Sequence, residues 1–363
     1  MKILVSALEH SANVHLESLL NELNSYHDRS SNLEKDTIEI VGIFNKKLGI
    51  PTVDLTELAI MGFVDVFKKL PFYFKLNSQM AELAHDVDKV LLIDSSGFNL
   101  PLAKKIKKKY PNKEIIYYIL PQAWAWKKKR IPVLAKTIDH LCSIIPFEQK
   151  HYPRNAHIRY VGHPLLDQIT KSKEDISHYN RVAFMPGSRA GEITKLMPLF
   201  KKVEQQLKKE DGSLEAILII PKNFSQEKVE TLFGDISMFN IEYDAKETLI
   251  NCDFAFICSG TATLEASLIG VPFILAYIAN TLDYTIASNL IKLNYLGLGN
   301  LMHEDMDGEA LHPELIQKEC TVENLLYHYN TMDRKKFLHE SKKLRGYLQH
   351  GSAREVAKII LEK

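Results

Sequence analysis

No apolar run in the 363-residue chain approaches the roughly 18 residues that a membrane-spanning helix needs. The opening Met1-Lys2-Ile3-Leu4-Val5-Ser6-Ala7 carries one positive charge and a short apolar stretch cut off by Glu9 and His10, too little for a signal peptide. Both absences predict a cytoplasmic protein. Cysteine is scarce: Cys142, Cys252, Cys258 and Cys320 lack Cys-x-x-Cys spacing, so neither a zinc site nor a disulfide framework is indicated. The first three lie in or beside apolar runs and read as small buried hydrophobes. Gly-x-Gly-x-x-Gly and Walker patterns are missing, which disfavours hydride transfer and P-loop chemistry. Net charge is also nearly absent, 46 Lys/Arg against 45 Asp/Glu, which argues against a protein that coats nucleic acid.

What is present is an ordinary globular composition, 45% hydrophobic and 25% charged, in a length that suits two domains. Short runs rich in Val, Ile, Leu and Tyr at 2–7, 37–44, 89–94, 114–120 and 140–145 alternate with helix-like segments. This is the rhythm of βαβ units on a parallel sheet. A polar stretch at 171–180 reads as a linker. The rhythm then restarts with strands expected at 181–186, 214–220, 240–243, 253–258 and 272–276, and helices at 192–209 and Thr261–Ile269. The expected fold is therefore α/β, with two Rossmann-like domains facing across a cleft. The first spans 1–165, the second 166–345, and a basic helical tail, 346–363, is expected to pack back on the first. In open α/β sheets ligands bind beyond the carboxyl ends of the strands, so functional residues should follow these runs.

The near-zero charge conceals a lopsided distribution. Residues 104–130 hold ten Lys/Arg and one acid, Glu114, leaving 36 basic and 44 acidic residues elsewhere. Both tryptophans stand in this segment, in Trp124-Ala125-Trp126-Lys127-Lys128-Lys129-Arg130. Tryptophan beside cations suits a membrane surface, and a nucleic-acid patch would look similar. Residues 58–76 mix Met61, Phe63, Phe67 and Phe72 with Lys68, Lys69 and Lys75. Such a segment lies in a membrane interface, lines an acyl-chain channel or forms a core helix edged by solvated lysines.

Two strand-to-helix turns carry the strongest local signals. In Phe184-Met185-Pro186-Gly187-Ser188-Arg189-Ala190-Gly191-Glu192, Gly187 permits close backbone approach and Arg189 offers a forked donor to a diphosphate. In Ile257-Cys258-Ser259-Gly260-Thr261-Ala262-Thr263-Leu264-Glu265, free N–H groups at a helix start make an anion site with room for phosphate. Glu265 would accept hydrogen bonds from ribose hydroxyls or complement the helix dipole. At the strand ends of the first domain stand Glu9, Asp94 and Gln122. Asp94 is placed to act as a general base on a substrate hydroxyl, or to cap the helix that Ser95-Ser96 would open.

Taken together and in order, these residues resemble lipid-A-disaccharide synthases from Met1 to about residue 350. The likeness rests on Ala59-Ile60-Met61-Gly62-Phe63, Asp94 through Phe98-Asn99, Pro121-Gln122-Ala123-Trp124-Ala125-Trp126, and Pro146-Phe147-Glu148. It continues through Val161-Gly162-His163-Pro164, Pro186-Gly187-Ser188-Arg189, Ser259-Gly260-Thr261-Ala262-Thr263-Leu264-Glu265 and Gly299-Asn300-Leu301. The resemblance implies a GT-B fold, with the UDP-sugar on the C-terminal domain and the lipid acceptor on the N-terminal one. It implies an inverting transfer from UDP-2,3-diacylglucosamine to 2,3-diacylglucosamine 1-phosphate, giving a β-1,6-linked disaccharide phosphate and UDP, with no metal or cofactor. By family position Asp94 is the leading base and Glu9 the alternative, while Arg189 and Asn300 serve the donor. Gly187, Ser188, Arg189, Ser259, Gly260, Thr261, Ala262, Thr263 and Glu265 would hold the UDP-sugar. Ser11, Asn13, Met61, Phe63, Phe67, Phe72, Gln122 and Trp124 would meet the acceptor and its chains.

The chain also departs from the family pattern. Leu8-Glu9-His10-Ser11-Ala12-Asn13 stands where Gly-Glu-Ala-Ser-Gly-Asp is usual, Gly97 replaces an acid, and Gly299 replaces the proline before Asn300. Two other readings stay open at this point. One is a UDP-N-acetylglucosamine 2-epimerase-like enzyme, which would share the architecture. The other is a catalytically silent protein that binds nucleotide-sugar or anionic lipid. The expected partners are the two diacylglucosamine substrates and an anionic inner-membrane surface bound peripherally, with no nucleic acid. A homodimer formed by exchange of the tail is left undecided.

Overall fold

The structure, a computed structural model, describes residues 1–29, 38–54, 70–175, 180–280, 293–306 and 308–362. The chain divides into two units, Met1–Asp167 with Gln349–Lys363, and Gln168–Leu348. Among the described residues no helix is long and apolar enough to cross a membrane.

The first unit is a seven-stranded sheet of β1 (Lys2–Ser6), β2 (Glu39–Phe44), β3 (Val53–Asp54), β4 (Lys89–Ile93), β5 (Glu114–Tyr118), β6 (His140–Ser143) and β7 (Ile158–Tyr160). Its order is β3-β2-β1-β4-β5-β6-β7, and every neighbouring pair is parallel. The second unit has six strands, β8 (Arg181–Met185), β9 (Glu215–Ile219), β10 (Asn240–Glu242), β11 (Phe254–Cys258), β12 (Phe273–Tyr277) and β13 (Glu314–Ile316). They run β10-β9-β8-β11-β12-β13, again all parallel. Each sheet builds outward from its first strand in both directions, which is the doubly wound Rossmann order.

The central strands are continuous apolar runs because helices cover both faces. Leu4, Val5, Val90, Leu91, Leu92, Ile115 and Ile116 are buried in the first sheet, and Phe184, Phe254, Phe256 and Ile274 in the second. The two- and three-residue edge strands β3, β7 and β13 carry no such run, and the sequence pattern missed them. All four cysteines are buried and free. Burial pushes the Cys142, Cys252 and Cys258 thiols up to about 12, so they pack as inert small groups.

The C-terminal region forms two helices, Arg334–Tyr347 in the second unit and, within the 346–363 tail, Ser352–Leu361 in the first. The apolar face of the latter, Val356, Ala357, Ile359 and Ile360, joins the core formed by Ile3, Val5, Leu16, Leu19 and Leu23. Asp167 fixes its start by accepting hydrogen bonds from Gly351 N (2.7 Å) and Ser352 N (3.0 Å). Ser352 also meets the Tyr118 hydroxyl at 2.8 Å. Val161-Gly162-His163-Pro164 is the seat for this return: His163 N donates to Gln349 O (3.0 Å), and Gly162 has φ +90°. A Cβ at Gly162 would lie 2.6 Å from Gln349 O.

Gly162→Ala is therefore expected to lower unfolding free energy by about 1–3 kcal/mol. Gly346→Ala, at a helical position open to solvent, should be neutral or stabilising by up to about 1 kcal/mol. Urea unfolding of both variants checks the contrast.

Candidate active site

The strand order reverses between β1 and β4 and again between β8 and β11. The helices that follow such a pair of strands leave on opposite faces, so a crevice opens at their carboxyl ends. Each unit has a cavity there.

In the first unit a cavity of about 690 Å³ is lined by Leu8, Glu9, Tyr73, Phe74, Asn77, Asp94, Ser95, Ser96, Gly97, Phe98, Pro101 and Lys105. Its floor is the turn from β4 into the helix Ser96–Lys109. Asp94 and Ser95 both adopt left-handed backbone, at φ +50° and +44°. Two non-glycine residues in that region cost on the order of 1–3 kcal/mol each unless their surroundings hold them. Here they are held. Asp94 N donates to Tyr118 O (3.1 Å), and Asp94 O accepts from the Tyr117 hydroxyl (2.7 Å) and from Asn99 Nδ2 (2.8 Å). Asn99 is buried and fixed in turn by the Ser6 hydroxyl, 2.6 Å from its Oδ1.

This geometry decides between the two roles open to Asp94. The N-cap of the following helix is Ser95, with no side-chain cap bond, so Asp94 is not the cap. Its Oδ1 accepts from the adjacent Ser95 N, at 2.7 Å, and Asp94 lines the cavity. Burial, and secondarily the negative charge of Glu9, push its pKa above the ordinary carboxylate value, while the Ser95 N–H opposes them. Glu9 is exposed and accepts from the Ser95 hydroxyl at 3.0 Å. Arg130 reaches the same turn, donating to Ser96 Oγ at 3.0 Å.

In the second unit a cavity of about 370 Å³ is lined by both turns singled out in the sequence, through Gly187, Ser188, Arg189, Ser259, Gly260, Thr261 and Ala262. The helices Ala190–Glu210 and Thr261–Ile269 begin here, and neither N-terminus has a side-chain cap. Four other helices of this unit are capped by Ser225, Asp244, Thr321 and Asp333, while the helix Leu298–Asp305, away from this cavity, starts at Gly297 without a side-chain cap. Two uncapped N-termini direct N–H groups and partial positive charge into one cavity, an arrangement suited to an anion. Gly187, at φ +107°, brings the backbone close: a Cβ there would lie 2.6 Å from Glu192 Oε2. Thr263 is buried and its hydroxyl donates back to Gly260 O (2.8 Å), so it shapes the turn. Glu265 is half-buried outside the cavity lining, its pKa raised by burial, which nearby Lys246 only partly offsets.

Several expected site residues stand elsewhere. Trp124 is 3% exposed, edge-on to Phe147 and stacked on His151, so it fills the core instead of meeting a ligand. The exposed member of the pair is Trp126. Asn13 is buried; its Nδ2 donates to Ala7 O and Glu9 O, both at 2.8 Å, and its Oδ1 accepts from Asn45 N (2.7 Å). An ionised carboxylate could not donate those bonds, which accounts for asparagine where the family pattern has an acid. Asn300 is fully buried, donating to His312 O (3.0 Å) and Glu314 Oε1 (2.7 Å) and accepting from His312 N, so it braces its loop and stands outside the lining of the second unit's cavity. Ser11 and Gln122 are exposed but outside the cavity lining. Met61, Phe63 and Phe67 lie outside the described residues. On the helix Leu70–Leu83, Tyr73, Phe74 and Asn77 line the cavity, while Phe72 is half-exposed beside them. Their i, i+4 spacing was the available signal. Among the described residues no group of three His, Cys, Asp or Glu side chains could hold a metal ion.

A family described as Lipid-A-disaccharide synthetase matches residues 3–359. The lipid-A-disaccharide synthase of Helicobacter pylori (strain J99 / ATCC 700824) is 49% identical, over 98% of this chain and 96% of its own. Among solved structures, the UDP-GlcNAc 2-epimerase of Neisseria meningitidis, bound to UDP-GlcNAc, is similar with TM-score 0.56 at 10% identity, over 99% of this chain and 98% of that one. CalG4, the calicheamicin glycosyltransferase, gives 0.55 at 12% identity, over 99% and 97%. At such identities these two structures speak to the shared fold alone, which is that of GT-B glycosyltransferases and epimerases.

The Glu9 contribution to Asp94 is directly measurable. In Glu9→Gln a carboxylate-detected NMR titration should place the Asp94 pKa lower than in the wild type, yet still above an exposed aspartate, because burial remains. An unchanged Asp94 titration would show that the two groups are not coupled.

Proposed function

Because the chain belongs to the lipid-A-disaccharide synthase family and is a glycosyltransferase that forms the lipid A disaccharide, we propose a division of that reaction between its two cavities. The epimerase-like and silent-binder readings give way to this one, since the epimerase shares no more than the fold. The donor is UDP-2,3-diacylglucosamine, held by the second unit. The acceptor is 2,3-diacylglucosamine 1-phosphate, held by the first.

The observation that carries this reading is the Asp94 carboxyl, fixed by backbone clamps in the wall of a cavity whose other walls include Leu8, Tyr73, Phe74 and Phe98. A raised pKa brings a carboxylate nearer the basicity needed to take a proton near neutral pH. Asp94 accepts the proton of the acceptor hydroxyl as its oxygen attacks the anomeric carbon of the donor. The bond from that carbon to the β-phosphate oxygen breaks, and UDP leaves with the electron pair. Configuration inverts because one displacement occurs. Charge gathering on the departing diphosphate is met by the Arg189 guanidinium and by the helix N-termini at Ala190 and Thr261. Lys105 on the cavity wall and Arg130 beside Ser96 suit the acceptor phosphate.

Acylated substrates reside in a membrane, and the first unit exposes apolar tips beside cations. Ile50 is 89% exposed near Lys46 and Lys47, Phe74 is 65% exposed, and Trp126, 48% exposed, lies under the Lys127 ammonium 3.7 Å from its ring. Lys104, Lys108, Lys128 and Lys129 are exposed nearby in sequence. Each cation near acidic lipid contributes about 1 kcal/mol. Together these features support peripheral attachment to the cytoplasmic face of the inner membrane.

Asp94→Asn keeps a residue type that tolerates left-handed backbone, so the fold should persist while kcat for disaccharide formation falls by about 10²- to 10⁴-fold. Assay with the two diacylglucosamine substrates, together with a thermal melt, checks both halves; retained turnover would remove Asp94 as the base. Binding to vesicles containing anionic phospholipid should weaken as salt rises. Retention at high salt would assign attachment to the apolar tips instead of the lysines.

A further inference from the structure

The anion-binding cavity of the second unit contains an anion of its own. Glu192, in the first turn of the helix Ala190–Glu210, is buried in the cavity lining, with its Oε2 packed over Gly187 and near Cys258 Sγ. Its Oε1 accepts a hydrogen bond from Arg189 Nη1 at 2.7 Å. The two partners differ in freedom: the Glu192 side chain is 10% exposed and walled in, whereas the Arg189 side chain is 79% exposed. Any rearrangement on ligand binding therefore falls to Arg189. A diphosphate entering here meets two helix N-termini that attract it and a carboxylate that repels it and already occupies the Arg189 guanidinium.

We propose that Glu192 is the resident counter-anion of this cavity. It holds Arg189 while the cavity is empty, yields the guanidinium to the diphosphate of the bound donor, and takes it back as UDP departs. Guanidinium bonds to carboxylate and to phosphate are similar in kind, so the exchange replaces one charge-assisted pair by another. Binding is weakened by the pair that must be given up, and release is hastened by the pair that re-forms. Glu192 acts through Arg189 and is a positioning residue. The inference rests on the reading that Arg189 meets the diphosphate.

UDP dissociation constants of the wild type, Glu192→Gln, Glu192→Asp, Arg189→Ala and the Arg189→Ala/Glu192→Gln double variant test it, with UDP product inhibition and a thermal melt measured alongside. Glutamine keeps the size and removes the charge. It should bind UDP about tenfold more tightly, with stronger product inhibition, as expected when a competing charged hydrogen bond is lost. Glu192→Asp, which keeps the charge, should stay nearer the wild type. In the Arg189→Ala background the gain from Glu192→Gln should fall to about threefold or less, because the two residues share one interaction. An equal gain in both backgrounds, or no gain in Glu192→Gln while Arg189→Ala loses affinity, overturns the inference and leaves the diphosphate role of Arg189 standing. Wild-type UDP affinity in Arg189→Ala overturns that role, and the inference with it.

Discussion

A parallel sheet that grows outward from its first strand in both directions must send the helices after its two central strands to opposite faces, which leaves a crevice at their carboxyl ends. This chain meets that constraint twice, between β1 and β4 and between β8 and β11. Most of the chemistry assigned to the protein stands within a few residues of those four strand ends: Glu9 beyond β1, Asp94 beyond β4, Gly187 and Arg189 beyond β8, Ser259 and Gly260 beyond β11. The burial of Val, Ile, Leu and Phe in each sheet supplies the rigidity that holds these turns. Left-handed backbone at Asp94 and Ser95 is affordable because Tyr117 on β5 and Asn99 on the next helix hold the Asp94 carbonyl in place.

The same topology yields two electrostatically different cavities. In the first unit burial and a neighbouring acid raise the pKa of a carboxyl group among largely apolar walls, which makes it a stronger base than an exposed aspartate. In the second, two uncapped helix starts and an arginine gather positive potential, and a buried glutamate tempers it. Proton acceptance and anion stabilisation are the two demands of an inverting displacement with a diphosphate leaving group. No single cavity need satisfy both.

The sequence was most legible where physics acts along the chain. Apolar runs located the central strands, and small residues after β8 and β11 located the turns that line the second unit's cavity. Legibility failed where direction in space decides the outcome. Trp124 and Trp126 stand two residues apart in a cationic segment, yet only Trp126 projects outward. Asn13 and Asn300 have the polarity of binding residues, but their amides are spent on bracing loops, a role fixed by partners such as Asn45 and His312 that are distant in sequence. Asp94 followed by two serines looks like a helix cap until its backbone is seen to be left-handed, which moves the cap to Ser95. The short strands β3, β7 and β13 owe their conformation to the neighbour they pair with, so their own composition says little.

Central to the account is the separation of donor diphosphate and acceptor between two crevices, and amide hydrogen exchange under each ligand alone tests it most directly. UDP should slow exchange across residues 187–192 and 259–263 and leave 94–98 unchanged. The acceptor, 2,3-diacylglucosamine 1-phosphate in detergent, should slow exchange at 94–98 and spare the other two segments. Protection of 94–98 by UDP, with 187–192 and 259–263 unaffected, would contradict it.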